Sequence, residues 1–265
     1  MDNARRTHLE TSIQAFMTAS VVTVRAEASL ADVGRILEKE RISCVPVVGP
    51  NGAPMGAVSR TDLLEQGRRH SAGHGGAVAP TPVATAGGIV KRPLITATPD
   101  STLSAAAARM VKDRVHRLFV EEAGALVGVF STLDLLGAIK SARVTLPVEK
   151  VMSQPAFTIE VGATLAHATD RLARAHVTGL AVVDEDGWPL GTFSQVDALA
   201  AKDLPGETPL EDAMCHAMAC VHTGTPLYRA AAIAHATRSR RVLVTQHREV
   251  VGVVTGLDFA RAISN

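Results

Sequence analysis

Gly56-Ala57-Val58-Ser59-Arg60-Thr61-Asp62 is one of four copies of a short string in this chain. The others are Gly128-Val129-Phe130-Ser131-Thr132-Leu133-Asp134, Gly191-Thr192-Phe193-Ser194-Gln195-Val196-Asp197 and Gly252-Val253-Val254-Thr255-Gly256-Leu257-Asp258. Each reads Gly, two mostly apolar residues, Ser or Thr, two variable residues, Asp. A repeat defines the fold unit, and a polar pair repeated inside it marks a repeated site.

Outward from the string, other landmarks keep register. Leu30, Leu103, Leu165 and Leu227 each open a helical run, and fifteen residues later a strand-like run begins at Val45, Leu118, Leu180 or Val242. Seven residues before each leucine stands Thr23, Thr96, Thr158 or Cys220, and six before those Met17, Val90, Met152 or Met214. One spacing varies. From the second-strand landmark to the motif glycine there are 11 residues in copies one and three but 10 in copies two and four. The natural unit is therefore a pair, and the chain holds two pairs in tandem.

Copy one displays the order of elements. Residues 21–24 are β-branched, Leu30, Val33, Ile36 and Leu37 recur at helical spacing, and residues 44–48 form an apolar strand run. Asn51-Gly52 signals a hairpin into residues 55–58, and a second helix starts at Ser59. The unit is β-α-β-β-α. Ala123-Gly124 and Asp186-Gly187 mark the same turn in copies two and three, whereas copy four turns at His247-Arg248 without glycine. A unit of about 55 residues buries too little apolar surface to stand alone comfortably, so two are expected to close on each other.

The fold class expected is α/β (α+β), in two paired modules covering residues 1–141 and 142–265. Copy one spans about 13–66, copy two 89–141, copy three 148–202 and copy four 210–265. Residues 67–88 are rich in Gly, Ala, Pro and His, lack periodicity and read as a mobile loop.

Apolar residues make up 46% of the 265 and aromatics only 3%, so the cores must be built from Ala, Val, Leu and Ile. The 27 basic and 26 acidic residues balance, which disfavours general attraction to nucleic acid or anionic lipid. Cys44, Cys215 and Cys220 are odd in number and lack metal-ligand spacing, so a reducing, cytoplasmic setting is expected. No apolar run approaches the ~18 residues of a membrane span, and the polar first ten residues do not read as a signal peptide.

With the β-α-β-β-α order, the pairing and the repeated ending, the chain resembles four cystathionine-β-synthase-type (CBS) domains over about residues 13–265. The resemblance implies two Bateman modules, each two repeats about a pseudo-twofold axis. It implies clefts between repeats that take adenosine-containing ligands: AMP, ADP, ATP, S-adenosylmethionine or adenine dinucleotides. It further implies modules assembled as a flat disc, within one chain or in a homodimer. No catalytic or transport segment is fused in this sequence, so a stand-alone regulator is expected.

The physical reading of the repeated pair starts at a helix N-terminus, where free N–H groups and the dipole favour phosphate. An Asp one turn in can accept from both hydroxyls of a ribose. The resemblance assigns ribose to Asp62, Asp134, Asp197 and Asp258, and phosphate to Ser59, Ser131, Ser194 and Thr255. The same spacing also reads as a capping box, with Ser or Thr at the N-cap and an acidic residue at N3. That box usually carries Glu or Gln, whereas all four copies carry Asp.

His116-Arg117 and Arg240-Arg241 precede the second strand of the even copies, where copies one and three have Ser43-Cys44 and Thr178-Gly179. The resemblance places such dipeptides at the phosphate end, with Lys91-Arg92 able to add to them. It places the adenine against residues by the first strand, Val22, Ile95, Phe157 and Ala219. Ile42, Val115, Val177 and Ser239, before the second strand, complete the slot. Copy four, with Ala219 and Ser239, offers the smallest and most polar one.

His70 and His74 lie in the loop without an acidic or Cys partner, so no metal site is expected. No nucleophile motif, P-loop or dinucleotide fingerprint occurs, so an enzyme is not expected, nor a cofactor beyond a regulatory ligand. The expected function is a sensor that binds an adenosyl ligand and passes its state to a regulated protein. The competing reading is an interaction scaffold with degenerate pockets, in which the Asp residues only cap helices.

Overall fold

The computed structural model describes residues 8–40, 42–63, 66, 84–90 and 93–264. They form four three-stranded sheets, each built by one repeat. Copy one contributes β1 (Val24–Arg25), α1 (Leu30–Lys39), β2 (Cys44–Val48) and β3 (Pro54–Ser59), followed by helical residues 60–63. Copy two contributes α2 (Ala86–Ile89), β4 (Thr96–Ala97), α3 (Leu103–Asp113), β5 (Arg117–Glu122), β6 (Ala125–Ser131) and α4 (Thr132–Ser141). Copy three contributes β7 (Thr158–Glu160), α5 (Leu165–Arg174), β8 (Gly179–Val183), β9 (Pro189–Ser194) and α6 (Gln195–Ala200). Copy four contributes β10 (Ala219–His222), α7 (Leu227–Thr237), β11 (Arg241–Gln246), β12 (Glu249–Thr255) and α8 (Gly256–Arg261).

The first two strands of each repeat pair in parallel, as in β1 with β2 and β7 with β8, because the intervening helix carries the chain back across the sheet. The hairpin strands β2–β3, β8–β9 and β11–β12 run antiparallel. The helices start where a hydroxyl caps them: Ser29, Thr102 and Thr164 each accept from the backbone N–H three residues on. The copy-four turn without glycine still places both central residues in the left-handed region, His247 at φ 48° and Arg248 at φ 78°. It matches Ala123 at φ 50° and Gly124 at φ 82° in copy two.

Two compact units divide the chain: Met17–Pro99 with Arg117–Phe130, and Met1–Phe16 with Asp100–His116 and Ser131–Asn265. The first holds the copy-one core of Val24, Val33, Leu37, Val45, Val47 and Val58, completed by Ala86 and Ile89 of copy two. The second holds the copy-three core around Leu165, Leu172, Leu180 and Phe193, completed by Leu210 and Met214 of copy four. In the second unit, too, α4 of copy two packs against α7 and α8 of copy four.

What closes each of these cores is thus a segment of the paired repeat. The lead-in of each repeat crosses to its partner before its own first strand begins. Leu165 N–H donates to Thr208 carbonyl at 2.9 Å, Leu227 to Leu146 at 2.8 Å, and Leu103 to Thr11 at 3.0 Å. The exchange gives a physical reason for the pairing: a lone repeat leaves its core open.

One sequence expectation fails here. The last residues of the stretch read as loop through Gly88 form α2, capped by the Thr85 hydroxyl. Its glycines serve close approach: a Cβ on Gly87 would lie 3.0 Å from Ala26 Cβ and 3.2 Å from its carbonyl oxygen. Lack of periodicity hid a helix of four residues. Residues 67–83, with His70 and His74, lie outside the described residues.

The lead-ins also explain the motif glycine. A Cβ on Gly128 would meet Met17 Sδ at 2.7 Å, one on Gly252 would meet Met152 Sδ at 2.6 Å, and one on Gly191 would meet the Cys215 carbonyl oxygen at 2.6 Å. The repeated Met and the repeated Gly are therefore two sides of one contact. Gly191→Ala faces backbone rather than a flexible side chain, and is expected to cost about 2 kcal/mol of unfolding free energy in urea. Gly162→Ala, where a Cβ meets nothing within 4 Å, should change little.

Candidate functional site

Each motif runs from the end of a strand into the start of a helix. Ser131, Ser194 and Thr255 keep extended backbone, and the helix begins at the next residue. In all four copies Oδ2 of the Asp accepts from the backbone N–H of the Ser or Thr. The distances are 2.8 Å for Asp62, 2.7 Å for Asp134, 2.7 Å for Asp197 and 2.8 Å for Asp258. The hydroxyls of Ser59, Ser131, Ser194 and Thr255 donate to the same oxygen, at 2.5 to 2.7 Å. The capping reading is thus realised four times, with the hydroxyl proton already directed at the carboxylate.

The four carboxylates differ at their other oxygen. Asp258 is 2% exposed, and its Oδ1 accepts from Ser153 Oγ at 3.0 Å and Arg261 Nη1 at 2.9 Å. Four donors surround it, so a sugar there must displace Ser153 and Arg261. Asp197 is half-buried, and its Oδ1 takes no hydrogen bond from the described residues. Asp62 is also half-buried.

At Asp134, burial pushes the carboxyl above its ordinary 3.8, against hydrogen bonds from Ser131 and the pull of His235. A carboxyl raised in the fold contributes stability that is full below pH 3.8 and is lost as pH rises through its folded value. Asp134→Asn should remove that descending limb from a urea-unfolding series run across acidic pH.

The residue before the second strand sits beside the motif of its own copy. The carbonyls of Ser43, His116 and Thr178 accept from Arg60, Thr132 and Gln195, at 3.0, 3.0 and 3.3 Å. His116 and Arg240 are exposed, while Arg117 and Arg241, which open β5 and β11, turn the other way and reach the paired repeat. Arg117 Nη2 donates to Ser43 Oγ at 2.6 Å. Arg241 Nη2 donates to the Thr178 carbonyl at 2.6 Å and to Thr178 Oγ1 at 2.7 Å.

The odd copy of each pair therefore gathers a motif Asp, a hydroxyl and an arginine from the even copy. In the first pair these are Asp62, Ser43 and Arg117, with Arg117 and Asp62 both acting on the Cys44 thiol, which burial pushes up. In the second they are Asp197, Thr178 and Arg241; burial pulls the Arg241 guanidinium below its ordinary value, as does Arg240, while Asp197 opposes them. The sequence reading assigned the arginines to a phosphate and did not name Ser43, Thr178 and Gly179 as their partners. The offset pairing of hydroxyl in odd copies with Arg in even copies was the available signal.

The apolar candidates divide. Val22 and Ile42 pack half-buried on the copy-one core, and Val177 does so in copy three. Phe157 is 44% exposed and lies in the same repeat as Val177 and Asp197. Ile95, Val115 and Ser239 are half-buried. Ala219 is 2% exposed inside β10, so copy four offers no open apolar wall there. Lys91 lies outside the described residues. A cleft at the hairpin tips of copies three and four is lined by Asp184, Asp186, Trp188, His247, Arg248 and Glu249, with the Arg248 guanidinium 5.4 Å from the Trp188 ring centre. It lies at the opposite end of β9 and β12 from the motifs. Among the described residues no group of three metal-ligating side chains occurs, and no helix is long and apolar enough to cross a membrane.

The family model described as CBS domain matches residues 13–68, 86–141, 148–203 and 207–265. The chain belongs to the CBS-domain family and carries four repeats of it. Proteins of this family are generally regulatory. The fold is similar to that of a Methanocaldococcus jannaschii protein described as a proposed archaeal homologue of g-AMPK. That likeness has TM-score 0.77 at 14% identity and covers 95% of this chain and 99% of that one. An uncharacterized conserved protein from Pyrococcus horikoshii gives TM-score 0.70 at 17% identity, covering 96% and 100%. A homoserine O-acetyltransferase of Methanococcoides burtonii is 30% identical over 126 residues, which is 47% of this chain and 23% of that relative. The chain thus spans under a quarter of that relative's length.

Proposed function

We propose that this protein is a regulatory sensor that binds an adenosine-containing ligand (AMP, ADP, ATP or S-adenosylmethionine) at the odd-copy motifs and passes its ligand state to a partner protein. The observation that carries the reading is the same three-part constellation in both pairs. A carboxylate able to accept from sugar hydroxyls stands beside a hydroxyl and an arginine delivered by the other repeat. Such a cleft joins the two repeats, so a ligand held by both favours one arrangement of them over another. Val22 and Ile42 in the first cleft, and Phe157 and Val177 in the second, supply apolar walls for a base. The chain is read as a regulator rather than an enzyme because the motif hydroxyls and carboxylates of the described residues cap helices and the arginines join repeats.

Calorimetric titration with adenosine, AMP, ADP, ATP and S-adenosylmethionine tests this. Binding of at least one at micromolar to millimolar concentration is expected. No heat with any of them leaves the scaffold reading, in which the Asp residues serve only as caps. Native mass spectrometry of freshly purified protein gives an independent check, as a retained mass matching an adenosyl compound.

A further inference from the structure

One position at which the two clefts differ is the first residue of the second strand in the odd copy. That residue is Cys44 in copy one and Gly179 in copy three. The difference decides where the arginine from the even copy can lie.

In the second cleft the Arg241 guanidinium lies on the backbone of Gly179. A Cβ at Gly179 would be 2.5 Å from Arg241 Cζ, 2.6 Å from Nε and 2.9 Å from Nη2. The guanidinium occupies the space that a side chain would fill. Two acceptors on Thr178 hold it there, one of them a carbonyl. That carbonyl also accepts from Gln195 N–H at 3.3 Å, so it is fixed to the start of α6. Burial and the neighbouring Arg240 both act against the Arg241 charge. In the first cleft the equivalent residue, Cys44, carries a side chain, and Arg117 acts on its thiol. Among the described residues Arg117 makes one bond there, to the rotatable Ser43 hydroxyl.

We propose that this residue sets the class of adenosyl ligand each cleft takes: Cys44 leaves Arg117 to meet an anion, so the first cleft takes a phosphorylated nucleoside, whereas Gly179 lets Arg241 sink into the wall, so the second takes an adenosyl compound without phosphate. The inference rests on the proposed binding of adenosyl ligands at Asp62 and Asp197. An arginine bonded to backbone and partly desolvated must break those bonds to turn its donors to a phosphate. One held by a single hydroxyl exchanges one bond for charge-assisted ones. The second cleft accordingly suits a neutral or cationic substituent at the ribose 5′ carbon, as in a nucleoside thioether or sulfonium.

The experiment isolates each cleft in the full chain. Asp197→Ala silences the second and Asp62→Ala the first, and adenosine and AMP are titrated into each variant. The Asp197→Ala chain should bind AMP about tenfold or more tightly than adenosine, and the Asp62→Ala chain should bind the two within about twofold. Gly179→Ala, added to Asp62→Ala, displaces only the far end of a flexible side chain. It should lift Arg241 off the wall and raise the AMP-to-adenosine preference to about tenfold. A second cleft that already prefers AMP tenfold overturns the inference, as does a Gly179→Ala variant whose preference stays within twofold. If the unmodified chain binds none of adenosine, AMP, ADP, ATP and S-adenosylmethionine, the proposed function itself falls, and this inference with it.

Discussion

Asp258→Ala is expected to lower the unfolding free energy by about 3 kcal/mol, the largest single-residue loss among the four motif aspartates. The carboxylate is 2% exposed and accepts from four donors. Two of these are its own helix cap, and removing a cap alone costs about 1 kcal/mol. The other two tie α8 to Ser153 in the lead-in of copy three and to Arg261 one turn on. Alanine leaves the Thr255 N–H and the Ser153 hydroxyl without an acceptor, and water does not readily enter so closed a site. The Arg261 pair contributes little, because that side chain is more than half exposed. Urea unfolding of the two single variants provides the comparison. Asp197→Ala, at a half-buried site whose Oδ1 takes no hydrogen bond from the described residues, should lose only the cap, about 1 kcal/mol. Equal losses at both positions would mean that the Ser153 contact adds nothing.

Replacing Asp197 should act on ligand rather than on fold. A carboxylate that accepts both hydroxyls of a ribose makes two charge-assisted bonds, each worth about 1.5–3 kcal/mol before water takes its place. Asp197→Ala is therefore expected to weaken adenosyl binding at that cleft by about 2–4 kcal/mol, or roughly 30- to 800-fold. The loss of stability should stay near the ~1 kcal/mol of a cap. The contrast with Asp258 arises because Asp197 Oδ1 has no hydrogen bond among the described residues, whereas Asp258 Oδ1 has two. Calorimetry on the single variant reads the affinity, and urea unfolding of the same sample shows whether the fold survived. An affinity unchanged within threefold would assign Asp197 to capping alone.

Local order was open to reading from the sequence alone. Leu103 to Asp113 follows a helical period behind Thr102, residues 44–48 are a continuous apolar run, and the motif Ser or Thr with Asp three residues on announces a capped helix start. These features depend on neighbours within a few residues, where backbone geometry and side-chain period act directly. The pairing of repeats was also legible, through a one-residue difference in spacing. Tertiary structure alone decided which groups meet across repeats. Arg241 finds Thr178 63 positions away, Arg117 finds Ser43 74 away, and Ser153 finds Asp258 105 away. Nothing periodic links residues so distant. The exchange of lead-ins therefore could not be read, although it is what makes the motif glycine necessary and completes the described cores. For the same reason four closely similar strings gave no sign that one aspartate is sealed by Ser153 and Arg261 while another keeps an oxygen without a hydrogen bond from the described residues. A carboxylate's availability depends on its partners in space, and those are set by how the repeats close on one another.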